Sequence, residues 1–225
     1  RYNEPKHAVT PKDPGPLISM KEMSRCIHCT RCVRFGQEIA GVMELGMIGR
    51  GEHSEITTFV GKTVDSELSG NMIDLCPVGA ILSKPFRYSA RSWELSRRKS
   101  VSPHDSWGTS IAVHVKDAQV KRVVALSNAE INDAWISDRD RFSYDGLNSE
   151  DRVTEPMIKT NGSWKKVSWD EAFAFAIEGI KAAKGQAGAD MLGALASPYS
   201  TTEELYSLKA LINGLGSAHI DTQLR

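Results

Sequence analysis

The sequence predicts an α+β protein in three parts: a small cysteine-bearing domain, a β-rich segment, and the opening of an α/β layer. Three observations predict it. All four cysteines fall in the first third or so of the 225 residues, at Cys26, Cys29, Cys32 and Cys76. Apolar and polar residues alternate around Ile111, Val113 and Val115, a period of two. From Ser168 onward the apolar period becomes helical, with one short apolar run between two such stretches.

Composition narrows the class. Hydrophobic residues make up 40% and charged residues 25%, within the range of globular domains. Lys plus Arg and Asp plus Glu balance at 28 each, which gives no reason to expect a nucleic-acid partner. No run of eighteen apolar residues is present, so no membrane-spanning helix is expected. Arg1 to Gly15 is polar, with Lys and Pro, and lacks a signal-peptide pattern; it reads as a cut edge of a longer polypeptide. Three cysteines within seven residues suit a metal site in a reducing compartment better than a disulfide framework.

Along the chain, residues 1–23 read as a linker. Residues 24–92 form the cysteine-bearing domain. Ser24 to Ala40 is a cysteine loop running into a helix with Val33, Phe35 and Ile39 as its apolar positions. Gly41 to Val60 has several glycines and short alternating runs, which favour a small hairpin. Ser66 to Leu75 reads as a short helix or turn leading into Cys76-Pro77, and Val78 to Ser83 as one more helical turn. The basic run Arg97, Arg98 and Lys99 follows a change of composition and places a domain boundary near residue 92. Residues 93–153 are β-rich: Ile111 to Val115 and Val120 to Leu126 flank a turn at Lys116–Gln119.

Residues 154–225 read as α/β. Ser168 with Glu171, and Thr201 with Glu204, have the capping-box spacing of helix starts. Ala172, Phe173, Ala176, Ile177 and Ile180 form the first stripe; Leu205, Leu208, Leu211, Ile212 and Leu215 form the second. Met191 to Ala196, between Asp190 and Pro198, is a buried-strand candidate, and His219 to Thr222 a possible second strand. Gly214 and Gly216 stand where the second helix should stop.

The chemistry lies in the cysteine spacing. Two residues separate Cys26 from Cys29 and Cys29 from Cys32, and Cys76-Pro77 follows after positions 33 to 75. Each short step lets a tight loop aim neighbouring thiolates at different corners of one cubane, with the fourth supplied from a distance. That matches a 4Fe-4S cluster with no cysteine left over. Structural zinc also takes four cysteines, but in two separated pairs rather than three plus one. Disulfides would need cysteines placed to cross-link distant elements. Arg25, Arg31 and Arg34 interleave with the thiols; they either favour the reduced cluster or pair with Glu38 and Asp74 on a solvated face. His28 is read as a neighbour, not a ligand. Ser102, His104 and Asp105 read as a turn with local hydrogen bonds rather than a catalytic group. No dinucleotide fingerprint or P-loop is present.

With Met23 to Gly41, Glu67 to Lys84, Trp135 to Leu147 and Arg152 to Ala172 laid out, the chain resembles the large iron–sulfur subunit family of respiratory complex I, NADH-quinone oxidoreductase. The resemblance implies a ferredoxin-like 4Fe-4S domain followed by the start of a molybdopterin-oxidoreductase-like domain. It carries Cys26, Cys29, Cys32 and Cys76 onto the cluster site. It also implies a 2Fe-2S site and a further 4Fe-4S site upstream of Arg1. Some relatives place an additional cysteine cluster where this chain reads Ser100 to Ser110 without one; no such cluster, and no molybdopterin, is expected here. The family's function is electron relay from NADH and flavin toward quinone. Its partners are the flavin subunit and the quinone-side iron–sulfur subunits, on the cytoplasmic face of the bacterial inner membrane or the mitochondrial matrix side. The rival readings are an iron–sulfur subunit of an NAD-linked hydrogenase or formate dehydrogenase, and a zinc-stabilised scaffold.

Overall fold

The elements follow from local sequence signals, and a computed structural model places them. It describes residues 9–59, 62–188 and 191–223, and the side chain of Ala187 is left aside. Val60, Asp190 and the first eight residues, all named above, lie outside the described residues. The chain divides into two compact units, Arg1–Ser149 and Glu150–Arg225.

In the first unit, β1 (Ile18–Ser19) pairs antiparallel with β4 (Leu82–Ser83), drawing the two ends of the cysteine-bearing domain together. Between them lie α1 (Arg31–Glu38), the antiparallel pair β2 (Leu45–Ile48) and β3 (Glu55–Thr58), and α2 (Asn71–Leu75). The hairpin and both helices occur where the sequence places them. Val78 to Ser83 differs from expectation: it is a turn ending in β4, not a helical turn. Gly79, at φ +64°, turns the chain there, a conformation glycine adopts without strain. The core joins Met20, Met23, Val33, Phe35, Leu45, Ile56, Met72 and Ile81, with Cys26, Cys32 and Cys76 packed against it. Ile39, read as part of the helix's apolar stripe, is instead 48% exposed.

A three-stranded antiparallel sheet follows, in the order β5 (Ser96–Val101), β6 (Ser110–Lys116), β7 (Gln119–Ala125). Arg97, Arg98 and Lys99 form the middle of β5, an exposed edge strand, and its charges discourage pairing with other chains. The division between compact units therefore falls at 149/150, whereas residue 92 marks the approach to this sheet. Asp117 and Ala118 make the β6–β7 turn, both with positive φ. Helix α3 (Asp138–Phe142) starts at Ser137, whose side chain accepts the Asp140 N–H. Ile111, Val123, Ile136 and Tyr144 form this part's core.

In the second unit, β8 (Met157–Thr160) and β9 (Ser163–Lys166) form a hairpin additional to the elements expected from the sequence. Its signal is Asn161-Gly162, both at positive φ, the residue pair a two-residue hairpin turn demands. α4 (Trp169–Ala187) and α5 (Thr202–Gly214) open on the expected capping boxes. β10 (Gly193–Leu195) and β11 (His219–Asp221) pair in parallel, as an α/β layer requires. The apolar stripe of α4 differs from expectation: Phe173 and Ile177 are 58% and 49% exposed.

Candidate iron–sulfur site

The four cysteines come from two stretches of the chain, residues 26–32 and residue 76. Cys26 caps the short 3-10 turn Met23–Arg25, Cys29 lies in the following loop, and Cys32 is in the first turn of α1. Cys76 caps the C-terminus of α2, its N–H donating to Met72 O at 3.2 Å. All four are free thiols and all line one pocket, together with Met23, Ile27, Arg31, Ile56 and Ala80. The structure thus brings the sequence-distant Cys76 to the triplet.

The loop geometry aims backbone donors at sulfur. His28 N–H donates to Cys26 Sγ at 3.4 Å, and Ala80 N–H to Cys76 Sγ at 3.3 Å. His28 and Thr30 both take left-handed backbone angles, φ 55° and 58°. For residues with a Cβ this costs about 1–2 kcal/mol each, strain held at a site where the chain must coil tightly around its thiols. The thiols differ in exposure: Cys29 is exposed, whereas the others are partly buried. Burial pushes the Cys32 thiol up to about 11, and the neighbouring Cys26 and Cys29 add to the rise. Ligation must displace those protons.

The residues present fit an iron–sulfur cluster in donor type, number and surroundings: four thiols, a largely apolar wall, and N–H groups directed at sulfur. Among the described residues, no three His, Cys, Asp or Glu side chains converge closely enough to hold a single metal ion. The fit therefore rests on the pocket and its donors. Of the arginines, Arg34 pairs with Glu38 at 3.3 Å and Arg25 with Glu22 at 4.0 Å; Arg31 lines the pocket. Asp74 pairs with Arg141 instead, at 2.7 Å, which corrects the partner expected for it.

Ser102, His104 and Asp105 form the turn expected of them. Ser102 Oγ accepts His104 N–H, and Asp105 Oδ1 accepts the N–H groups of Trp107 and Gly108. Ser102 also reaches far along the chain, donating to Asp140 Oδ1 at 2.5 Å. The run Asp138 to Arg141 resembles a solvated face by composition, yet Asp138, Asp140 and Arg141 are all buried.

Three family models match. Residues 15–82 match the NADH-quinone oxidoreductase subunit 3 ferredoxin-like domain, residues 95–145 the NADH-ubiquinone oxidoreductase NDSU1/NuoG-like 4Fe-4S domain, and residues 152–225 molybdopterin oxidoreductase. The NADH-ubiquinone oxidoreductase 75 kDa subunit of Reclinomonas americana is 43% identical over 98% of this chain and 31% of its own length. Over nearly all of its own length the chain is similar to the NADH-quinone oxidoreductase 75 kDa subunit family. The mitochondrial NADH dehydrogenase iron-sulfur protein 1 of Solanum tuberosum is 45% identical over 98% of the chain and 29% of its own length. The mitochondrial NADH-ubiquinone oxidoreductase 78 kDa subunit of Candida albicans is 42% identical over 98% of the chain and 30% of its own length. The chain thus spans under a third of the length of these 75 kDa family relatives. Its fold is that of the family models: α+β, ferredoxin-like first, with the start of a molybdopterin oxidoreductase domain after it. Residues 95–145 contain no cysteine, so a thiolate-held cluster in this chain lies outside the segment matched by the second of those models.

Proposed function

We propose that the chain holds one 4Fe-4S cluster on Cys26, Cys29, Cys32 and Cys76, and that electrons pass through it within NADH-quinone oxidoreductase, from NADH and flavin toward quinone. The observation that carries the proposal is the convergence of four free cysteines, three plus one, on a single pocket. The cluster supplies one-electron chemistry when bound. The chain's own residues fix its position, seal it behind Met23, Ile56 and Ile81, and direct backbone dipoles at two sulfurs.

Partners on this reading are the other peripheral-arm subunits, the flavin subunit and the quinone-side iron–sulfur subunits among them. Among the described residues no helix is long and apolar enough to cross a membrane, and peripheral attachment on the cytoplasmic or matrix side suits the reading. Residues 152–225 are read as a structural part, without pterin. The relatives' names favour complex I over a hydrogenase or formate dehydrogenase.

The test is Cys76→Ser in the assembled complex. NADH oxidation by ferricyanide, which can take electrons at the flavin, should persist, while electron flow from NADH to quinone should be lost. Undiminished quinone reduction with the variant would remove this cluster from the path.

A further inference from the structure

Cys76 is anchored by a helix of only five residues, too short to hold its shape alone. Its support comes from more than sixty residues further along the chain. At the start of α2, Asp138 accepts the Ser69 hydroxyl at 2.5 Å and the Gly70 N–H at 2.7 Å, and the Asp138 N–H donates to Glu67 O at 2.7 Å. At its first residue, Asn71 donates to Ile136 O at 2.8 Å, and Ile136 N–H returns to Asn71 Oδ1 at 3.1 Å. Toward its end, Arg141 Nη2 donates to Asp74 Oδ2 at 2.7 Å and to Asn71 Oδ1 at 3.2 Å. The approach is so close that a Cβ on Gly70 would lie 2.4 Å from Arg141 Cδ. The same segment reaches the triplet's helix as well, because Trp135 packs on Phe35 of α1 with ring centroids 5.1 Å apart.

We infer that the Trp135–Arg141 segment is a clamp that positions Cys76 against the Cys26–Cys32 loop, with Arg141 as its central positioning residue. The inference rests on the cluster reading above. It gives the cysteine-free segment 95–145 a part in the redox site: it fixes where the remote ligand stands. Arg141 reaches Asp74, two residues before the ligand, while Asp138 fixes the other end of the helix. Loosening either frees Cys76 to leave its iron.

The experiment uses the full-length subunit carrying its clusters, and compares wild type with Arg141→Met, Asp74→Asn and Gly70→Ala. Ferricyanide is the probe. An oxidised 4Fe-4S cluster that gives one electron to ferricyanide and releases one iron(II) leaves a three-iron cluster, and EPR follows that product. Loss of a charge-assisted hydrogen bond predicts conversion about tenfold faster in Arg141→Met and Asp74→Asn, and Gly70→Ala, whose added Cβ would displace Arg141, should also speed it. Arg141→Lys, which keeps the charge but not the fork, should recover part of the difference. Arg141→Met combined with Asp74→Asn should be no faster than either alone.

Ser102→Ala separates positioning from general loosening. It breaks a buried bond to Asp140 of the same helix and should leave the conversion rate unchanged. Conversion at the wild-type rate in Asp74→Asn and Gly70→Ala would overturn the clamp, as would equal acceleration by Ser102→Ala. Asp74 is 42% exposed, so Asp74→Asn reads the same contact if Arg141→Met fails to fold. A wild-type chain that binds no iron and sulfide on these cysteines sinks the cluster reading itself. A loaded wild type with unaltered variants sinks only the clamp.

Discussion

Gly36→Ala should destabilise the cysteine-bearing unit, although the same exchange in an exposed helix stabilises it. Gly36 lies inside α1, where glycine costs about 1 kcal/mol relative to alanine, so propensity alone favours the change. The space decides otherwise. A Cβ at Gly36 would stand 2.9 Å from the backbone oxygen of Val42, and Val42 N–H donates to Gly36 O at 2.9 Å. Backbone cannot swing aside as a side-chain tip can. Overpacking costs about 1–3 kcal/mol, and opening the Val42 bond would cost about 1 kcal/mol more. The propensity gain about cancels the lost bond, leaving a net loss of about 1–3 kcal/mol. Gly179 in α4 is the internal control: nothing lies within 4 Å of its added Cβ, so Gly179→Ala should gain about 1 kcal/mol. Native-state hydrogen exchange resolved to peptides reads both helices in one chain. Amides of α1 should exchange faster in Gly36→Ala, and those of α4 slower in Gly179→Ala. Slower exchange across α1 in Gly36→Ala would refute the packing argument.

Two further predictions concern the sheet. Ser102→Ala removes the donor to Asp140, which keeps Ser137 Oγ at 2.9 Å, and should cost about 1–3 kcal/mol in urea unfolding; no measurable loss would contradict it. His114 is buried, and burial with the nearby Arg122 and Arg97 pushes its pKa down from 6.5 to about 4, only partly opposed by Asp74. Arg122 Nε donates to His114 Nδ1 at 2.9 Å, which requires that nitrogen to be unprotonated. Between these values the unfolded chain binds the proton more readily. The stability His114 contributes is therefore complete above about pH 6.5 and is lost as pH falls toward about 4. The urea midpoint of the wild type should drop more between pH 7 and pH 5 than that of His114→Gln. Equal drops would contradict the assignment.

The candidate ligand set was legible because three cysteines in seven residues and one Cys-Pro pair leave few alternatives. The β6–β7 hairpin and the helix starts at Ser168 and Thr201 were legible from period and capping. The Val78–Ser83 stretch was not, because its strand exists only through pairing with Ile18 and Ser19, a partner more than sixty residues away. The clamp was hidden for a related reason. Asp138, Asp140 and Arg141 together resemble a solvated helix face, and only tertiary contact with Ser69, Asn71, Asp74 and Ser102 makes them interior groups. The β8–β9 hairpin, by contrast, carries its own local signal in Asn161-Gly162.

The most direct test of the central claim is anaerobic reconstitution of the chain with iron and sulfide, then analysis of both and EPR after dithionite. The account predicts about four iron and four acid-labile sulfide per chain, with a reduced-cluster signal that Cys76→Ser loses or degrades. One tightly bound zinc with no sulfide uptake would contradict it, and these cysteines would then hold a structural ion.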